Sequence, residues 1–488
     1  MNTSIIKYVV GRLLIILAGL MVLPLLVSLI YREEFTHMLS FIIPILVSLG
    51  LGFFLEKRGD GTGDFYIKEA MFIVAAGWII FSVFGAFPLI LTPDEYPTII
   101  DALFEMVSGF TTTGASVARN IEILPHSIVF WRSLSHLVGG MGILVFTLAI
   151  LPKTNRHSSL IMQAEVPGPT FGKITSKLSD TARALYTIYL VMTLITTVFL
   201  LFGGMNLFDA LIHAMSTAGT GGFSNRNLSI GYYDSRYIEV ILGIAMLAFG
   251  VNFNVYYYSI FRSIRQGSDS EELRVYLGII LASSLLIFIN IFTTYTDKGY
   301  ALSNAFFATT SIITTTGFVS ADFGTWPLFS RLVIMLLMFI GGCAGSTAGG
   351  LKVSRIIILV KRAINQVRQS QNPKRITMNR LDKKMIDKET EASVGKYFAL
   401  FVLIFIILIF IVAIDVDNFQ SAFTTVAGTF NNVGPSIGEY GPINNFATIG
   451  KLSKIAIILA MLMGRLEIFP MLLLLTPHTY KSLRAKVK

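Results

Sequence analysis

The sequence predicts an all-α polytopic membrane protein: two N-terminal helices, then four helix–pore-loop–helix repeats around one pseudo-fourfold pore. Three observations predict it. Hydrophobic residues make up 53% of the 488-residue chain and charged residues only 14%, and apolar runs of about twenty residues, the length that crosses a bilayer, recur along it. Four segments, 101–114, 209–222, 304–317 and 421–434, align without gaps, and each ends in glycine. Lys and Arg cluster in alternate connections, while acids occupy the connections between them, the positive-inside pattern.

The first two candidate spans, 8–30 and 38–55, have no pore segment between them. The first is too long for a signal-peptide core and no small-residue cleavage site follows it, so it reads as a retained helix. The other eight form four pairs: 69–91 with 125–151, 183–203 with 236–261, 272–295 with 326–364, and 396–414 with 449–476. Each pair encloses one glycine-terminated segment. The chain therefore divides into leading helices (1–60), repeat 1 (61–155), repeat 2 (156–265), repeat 3 (266–366), a basic cytoplasmic loop (367–395) and repeat 4 (396–488). The terminal glycines recur at intervals of 108, 95 and 117 residues, the scale of a duplicated domain and not of a solenoid.

Each pore segment opens on a short polar residue, Asp101, Asp209, Asn304 or Ser421, read as a helix N-cap. Alanine follows every time (Ala102, Ala210, Ala305, Ala422), then a large apolar residue. The exits read Thr112-Thr113-Gly114, Thr220-Gly221-Gly222, Thr315-Thr316-Gly317 and Asn432-Val433-Gly434. Non-helical backbone at membrane depth is tolerated only inside protein or along a watery cavity. Four re-entrant loops meeting on an axis satisfy that condition, and a ring of their carbonyls can replace the water shell of an alkali cation. Glycine reaches dihedrals closed to other residues. A single such glycine reads equally well as a helix C-cap or a packing contact; four in matching positions point to a filter.

The eighth span contains Gly341-Gly342-Cys-Ala-Gly345-Ser346-Thr347-Ala-Gly349-Gly350. Ten small residues do not maintain a straight helix. The segment precedes Lys352, Arg355, Lys361 and Arg362, which puts it at the inner side of the pore, where flexible backbone can bulge into the path as a gate. A close helix–helix contact through small residues is the structural alternative. Arg465 lies inside the last apolar span, and an intramembrane charge faces a cavity or a partner. Glu467, two positions on, points to another helix face, so Arg465 finds its partner elsewhere or faces the pore. Arg368, Lys374, Arg375, Arg380, Lys383, Lys384 and Lys388 make the connection after the gate segment basic, suited to lipid headgroups or a cytosolic partner.

The net charge of +10 does not indicate nucleic acid, because its distribution follows membrane topology. Basic segments (57–68, 153–183, 262–274, 352–396, 481–488) alternate with acids at Asp94, Glu95, Glu122, Asp234, Asp297, Asp322, Asp415, Asp417 and Glu439. Both termini are thereby expected in the cytoplasm, and the acidic outer face would gather cations. The one cysteine, Cys343, excludes an intramolecular disulfide or a cysteine metal cluster. The six histidines are scattered, and there is no Walker loop, dinucleotide fingerprint or nucleophile–base set. Neither an enzyme nor an organic cofactor is expected.

Several motifs together resemble the Trk-type bacterial potassium-uptake subunits (TrkH/TrkG) of the Trk/Ktr/HKT superfamily. They are Thr111-Thr-Thr-Gly-Ala115, Trp131-Arg-Ser-Leu, Gly139-Gly-Met-Gly-Ile143, Gly221-Gly-Phe-Ser224, Thr314-Thr-Thr-Gly-Phe318, Gly341 through Lys352, Asn431-Asn-Val-Gly-Pro435 and Gly464-Arg-Leu-Glu-Ile468. They span nearly the whole chain, and the two extra N-terminal helices are those expected of TrkH rather than KtrB. The resemblance implies transport of K+ as cargo across the cytoplasmic (inner) membrane, a homodimer with one pore per subunit, and control by a cytosolic ring, TrkA, that binds NAD and ATP. It implies that the glycine-rich segment is the gating loop and that Arg465 stands beneath the filter. Family members with serine at the first filter glycine tend towards Na+; here that position is Gly114. The Thr220-Gly221-Gly222 exit makes the ring chemically uneven, and the alternative is less selective K+/Na+ passage or proton-coupled symport.

Overall fold

The computed structural model describes residues 2–61, 67–92, 95–142, 178–261, 263, 269–374, 378–382 and 384–476. The inner end of the fourth expected span (143–151), the boundaries at 155/156 and 265/266, most of the basic segment 153–183, Asp94, Arg375, Lys383 and the basic run 481–488 lie outside them.

Two leading helices, α1 (Thr3–Ile30) and α2 (Phe35–Lys57), pack on each other. They cross where Gly11 and Gly52 let the backbones touch: an added Cβ on Gly11 would stand 2.6 Å from the Gly52 carbonyl oxygen. Arg12 and Glu56 pair beside that crossing at 2.9 Å. Small residues permit such contact in lipid, where no hydrophobic force drives helices together. The outward faces carry exposed Leu26, Leu46 and Phe53, as lipid contact requires.

Repeat 1 comprises α3 (Ile67–Gly85), which continues into a one-turn helix at Phe87–Ile90, the pore helix α4 (Ile99–Phe110) and α5 (His126–Gly140). Repeat 2 has α6 (Leu178–Phe202), pore helix α7 (Leu207–Gly219), α8 (Arg236–Phe249) and α9 (Phe253–Phe261). Repeat 3 has α10 (Glu271–Ile291), pore helix α11 (Lys298–Ile313), α12 (Leu328–Ile340) and α13 (Val353–Gln371). A two-stranded hairpin follows, β1 (Arg380–Leu381) against β2 (Lys384–Met385). Repeat 4 has α14 (Lys388–Val412), pore helix α15 (Phe419–Phe430), α16 (Lys451–Arg465) and α17 (Ile468–Leu475). Among the described residues six helices are long and apolar enough to cross a membrane.

Three sequence expectations need correction. The pore helices are capped earlier than expected: Thr98, Asn206 and Asn418, three residues before Asp101, Asp209 and Ser421, accept from their backbone N–H groups. The expected caps instead sit in the first turn, where an acid still favours the positive helix end. The third pore helix starts a turn or more sooner, at an Asp297 cap, and Asn304 lies well inside it, bonded to Ser320.

The inner helices 236–261 and 449–476 are not continuous. The first bends by 86° between α8 and α9; the second breaks at Glu467, whose φ is +61°. The helices that follow the pore loops, α5, α8, α12 and α16, have 15, 14, 13 and 15 residues. At 1.5 Å per residue each spans roughly 20–23 Å, short of a full crossing. All four described helices are therefore too short to cross by themselves, not only the third.

The third correction concerns the glycine-rich segment: 341–352 is non-helical, as expected, but it is tightly tied and not loose.

Candidate ion-conduction site

The four pore-helix exits share one backbone design. Thr112, Thr220, Thr315 and Asn432 have φ of 53°, 54°, 57° and 56°; Gly114, Gly222, Gly317 and Gly434 have 80°, 75°, 79° and 97°. Thr113, Gly221, Thr316 and Val433 each donate their N–H to the carbonyl five residues back, at 2.7–2.9 Å. That is a Schellman-type helix end. It commits each N–H to its own pore helix. Left-handed residues alternating with an ordinary one turn successive carbonyls to the same side.

The exits close into a ring. An added Cβ on Gly114 would meet the Gly221 carbonyl oxygen at 1.9 Å, on Gly222 that of Thr316 at 2.0 Å, on Gly317 that of Val433 at 2.1 Å, and on Gly434 that of Thr113 at 2.5 Å. Repeat 1 meets 2, 2 meets 3, 3 meets 4, and 4 returns to 1. No side chain fits at any of the four glycines.

The chemical unevenness lies behind this ring. Thr113 and Thr316 turn their hydroxyls onto Thr111 and Thr314, at 2.8 and 2.7 Å. In repeat 2 the equivalent space is taken by His136, whose Nδ1 would lie 2.4 Å from a Cβ on Gly221. The imidazole stacks on Phe223 at 4.2 Å, and neither nitrogen has a hydrogen-bond partner among the described residues. Gly221 is therefore a steric response to a neighbouring helix. Val433 is fully buried in the same position. The Thr112 hydroxyl and the Asn432 side-chain oxygen are also buried without a hydrogen-bond partner among the described residues.

The segment 341–352 lies against the pore-helix exits of repeats 3 and 4 and the helix break of repeat 2, and is linked to repeat 1 through Arg465. Gly349 donates its N–H to the Thr315 hydroxyl at 2.7 Å, and its Cα faces Asn431 and Asn432 of repeat 4. Cys343 N–H donates to Gly250 O at 2.9 Å, and Phe253 N–H to Gly345 O at 3.1 Å, fastening the segment into the break of repeat 2. Glu272 accepts from Ala344 N–H (2.7 Å) and Ser354 N–H (3.0 Å), clasping both ends of the segment. Arg465 donates to Thr347 O (2.6 Å) and to Gly139 O and Gly140 O at the end of α5 (2.7 and 2.6 Å). It thereby joins the segment to repeat 1. Gly341, Gly345 and Gly350 all adopt positive φ, and Gly342 and Ser346 lie within the same fold of chain. Glu467 pairs with Arg355, which stacks over Tyr397 at 4.0 Å. These side chains and Lys352 line a cavity with room for about one water.

The residues expected to form the filter are the ones that meet in this backbone ring, and the expected gating segment is the non-helical stretch 341–352. The sequence reading missed Glu272, His136 and the ion pair Glu105–Arg132, although a charge in an apolar span is a signal in itself.

A chain with four pore helices converging on one carbonyl ring inside a bundle of membrane-spanning helices belongs to the pore-loop class of membrane transport proteins. The TrkH family profile, described as a cation transport protein, matches residues 33–295 and 283–479. The Trk system potassium uptake protein TrkH of Salmonella typhimurium is 36% identical over 99% of this chain and 100% of its own length. The Trk system potassium uptake protein TrkG of Escherichia coli is 32% identical over 99% of this chain. The crystal structure of the potassium transporter TrkH from Vibrio parahaemolyticus superposes with a TM-score of 0.88 at 31% identity, covering 98% of this chain and all of that one. The chain belongs to the TrkH family of cation transport proteins, and it is a transporter, not an enzyme.

Proposed function

We propose that this chain is the pore subunit of a potassium-uptake system of the cytoplasmic membrane. The single observation that carries the reading is the closed ring of Thr113, Gly221, Thr316 and Val433 carbonyls seated against four side-chain-free glycines. Such a ring offers a dehydrated K+ ion the oxygens that water otherwise supplies. The buried Thr112 hydroxyl and Asn432 oxygen add candidate ligands on its inner side. The names of the relatives support K+ as the cargo.

The segment 341–352 is the gate in this reading. It is fastened to repeats 2, 3 and 4 directly and to repeat 1 through Arg465, next to the ring residues Thr315 and Asn432, so an ion leaving the filter inwards has to displace it. Arg465 is its latch. The basic residues of α13 and the hairpin face the cytoplasm, with both termini on that side, and receive a TrkA-type NAD/ATP-binding ring; the subunit pairs as a homodimer. Less selective K+/Na+ passage is the second reading, favoured by Asn432 in a position that is threonine in the other loops. One experiment decides between them: flux of K+ against Na+ into liposomes holding the purified chain. K+ flux well above Na+ flux supports the first, comparable fluxes the second, and no cation flux with or without the regulatory ring would defeat both.

A further inference from the structure

We infer that the buried ion pair Glu105–Arg132 is a specificity-determining brace that holds the filter at the junction of repeats 1 and 2. The inference rests on the filter reading and deepens it.

Glu105 is wholly buried in the middle of pore helix α4. Its carboxylate takes the Arg132 Nε–H at 2.8 Å, the Ser116 hydroxyl at 2.9 Å and the Val117 N–H at 2.9 Å. Ser116 and Val117 lie two and three residues past Gly114, so the carboxylate pins the outgoing strand of the first filter loop to its own pore helix. Arg132, 1% exposed on α5, completes the pair at 2.7 Å. It also donates to Ser224 O at 3.5 Å and lies over the Phe223 ring at 4.1 Å. Phe223 and Ser224 are the first residues past Gly222. One guanidinium thus grips the outgoing strands of two adjacent filter loops.

At the matching helix position the other repeats carry no charge, although in repeat 2 Asp209 of the first helical turn holds Asn225 at 2.6 Å and Arg226 at 3.5 Å further along the strand. Nine residues before the filter glycine, where repeat 1 has Glu105, stand His213, Ala308 and Thr425. His213 Nε2 bonds Ser224 at 3.0 Å, in the register of Glu105 with Ser116. In repeat 3 Ser311 donates to Phe318 O at 2.7 Å, and in repeat 4 Thr424 bonds Ile437 N–H and O, at 3.0 and 2.9 Å. At this helix level these are hydroxyl or imidazole contacts within a repeat, whereas the Arg132 guanidinium reaches two repeats. Charge-assisted bonds are shorter and stronger, and a fully satisfied buried network rigidifies its surroundings. Because the two charges cancel, the pair's effect on the ion is exerted through ring geometry and not through a net field. K+ and Na+ differ in size, so loosening this corner of the ring lets the carbonyls close on the smaller ion.

The test removes both charges together, leaving no lone buried charge. Full-length E105L/R132M and E105D are purified and reconstituted, and K+ and Na+ fluxes are compared with wild type, alongside thermal unfolding in K+ and in Na+. The double variant is expected to fold and conduct with its K+/Na+ flux ratio lowered about tenfold, and to lose the extra thermal stability that K+ confers over Na+. E105D keeps the charge but is one methylene short of Val117; it is expected to lower the ratio by a smaller factor, and it decides the matter if the double variant does not fold. A wild-type ratio in whichever variants fold would overturn the brace. G114S is run in parallel. An unchanged ratio in G114S defeats the filter reading itself, whereas a changed ratio there with wild-type ratios in the Glu105 variants defeats only this inference.

Discussion

Thr112, Thr220, Thr315 and Asn432 hold a left-handed backbone that β-branched threonine disfavours most strongly. Strain of this kind persists only where its surroundings over-determine it. Three threonine instances and one asparagine, each followed two residues on by a left-handed glycine, make it part of the ring's construction. Gly114→Ser places a side chain 1.9 Å from the Gly221 oxygen at a φ of 80°, so the ring must deform. The expected result is a fall in the K+/Na+ flux ratio of about tenfold or more; an unchanged ratio shows that Gly114 does not line the path. Arg465 calls for a finer comparison. Its guanidinium holds three carbonyls at once, which a lysine ammonium does not reproduce geometrically. If the latch matters, Arg465→Ala and Arg465→Lys both raise K+ flux per folded molecule. If the charge alone forms the barrier, the lysine variant stays near wild type. Reduced stability in both with no gain in flux makes Arg465 structural.

At the scale of elements, the four short inner helices explain how the carbonyl ring is supported. Each has a glycine at or near its end: Gly140, Gly250, Gly341 and Gly464. Gly139 lies against the Phe110 carbonyl and Gly464 against that of Phe430, both four residues before a filter glycine. The third helix uses its interruption to send a strap under the pore. Deleting 345–350 removes the Gly349–Thr315 and Thr347–Arg465 contacts together. K+ flux is expected to rise and, under the proposed control by a cytosolic ring, to depend less on that partner. A shortened protein that folds, by thermal unfolding, but conducts no faster than wild type marks the strap as packing. The hairpin is well placed to act on the strap: Asp382 accepts Glu271 N–H at 2.6 Å, and Lys361 pairs with Glu271 at 2.6 Å, one residue from the clasping Glu272.

The whole molecule works as a closed circle, so repeat 4 must meet repeat 1. Besides the Gly434–Thr113 contact, Lys454 of α16 pairs with Asp101 of α4 at 2.6 Å, both nearly buried. Breaking a buried pair from one side leaves an uncompensated charge and costs about 3–5 kcal/mol. Lys454→Met is expected to lower the unfolding temperature in detergent markedly, and Lys454→Met with Asp101→Asn to recover most of the loss. A single variant as stable as wild type means that the circle is held elsewhere.

The sequence by itself determined the class, the helical membrane plan, the four glycines at which the loops meet and the interrupted third inner helix. These are local matters: hydrophobic length, glycine where no Cβ fits, and small-residue runs that do not sustain a helix. It misplaced the caps by a turn, because several polar residues precede each pore helix and only the fold selects among them. It drew two inner helices straight, because the breaks at 250–252 and at Glu467 are too short to alter an apolar run. Only the tertiary structure decided which charges meet. Glu105 with Arg132, Lys454 with Asp101 and Arg465 with three carbonyls join residues between 27 and 353 positions apart. Membrane depth obliges a buried charge to find a partner, but sequence distance does not say which one. Ring closure belongs to the same order of fact: each glycine is small because of a carbonyl in the next repeat, and that carbonyl arrives only when the chain has come full circle.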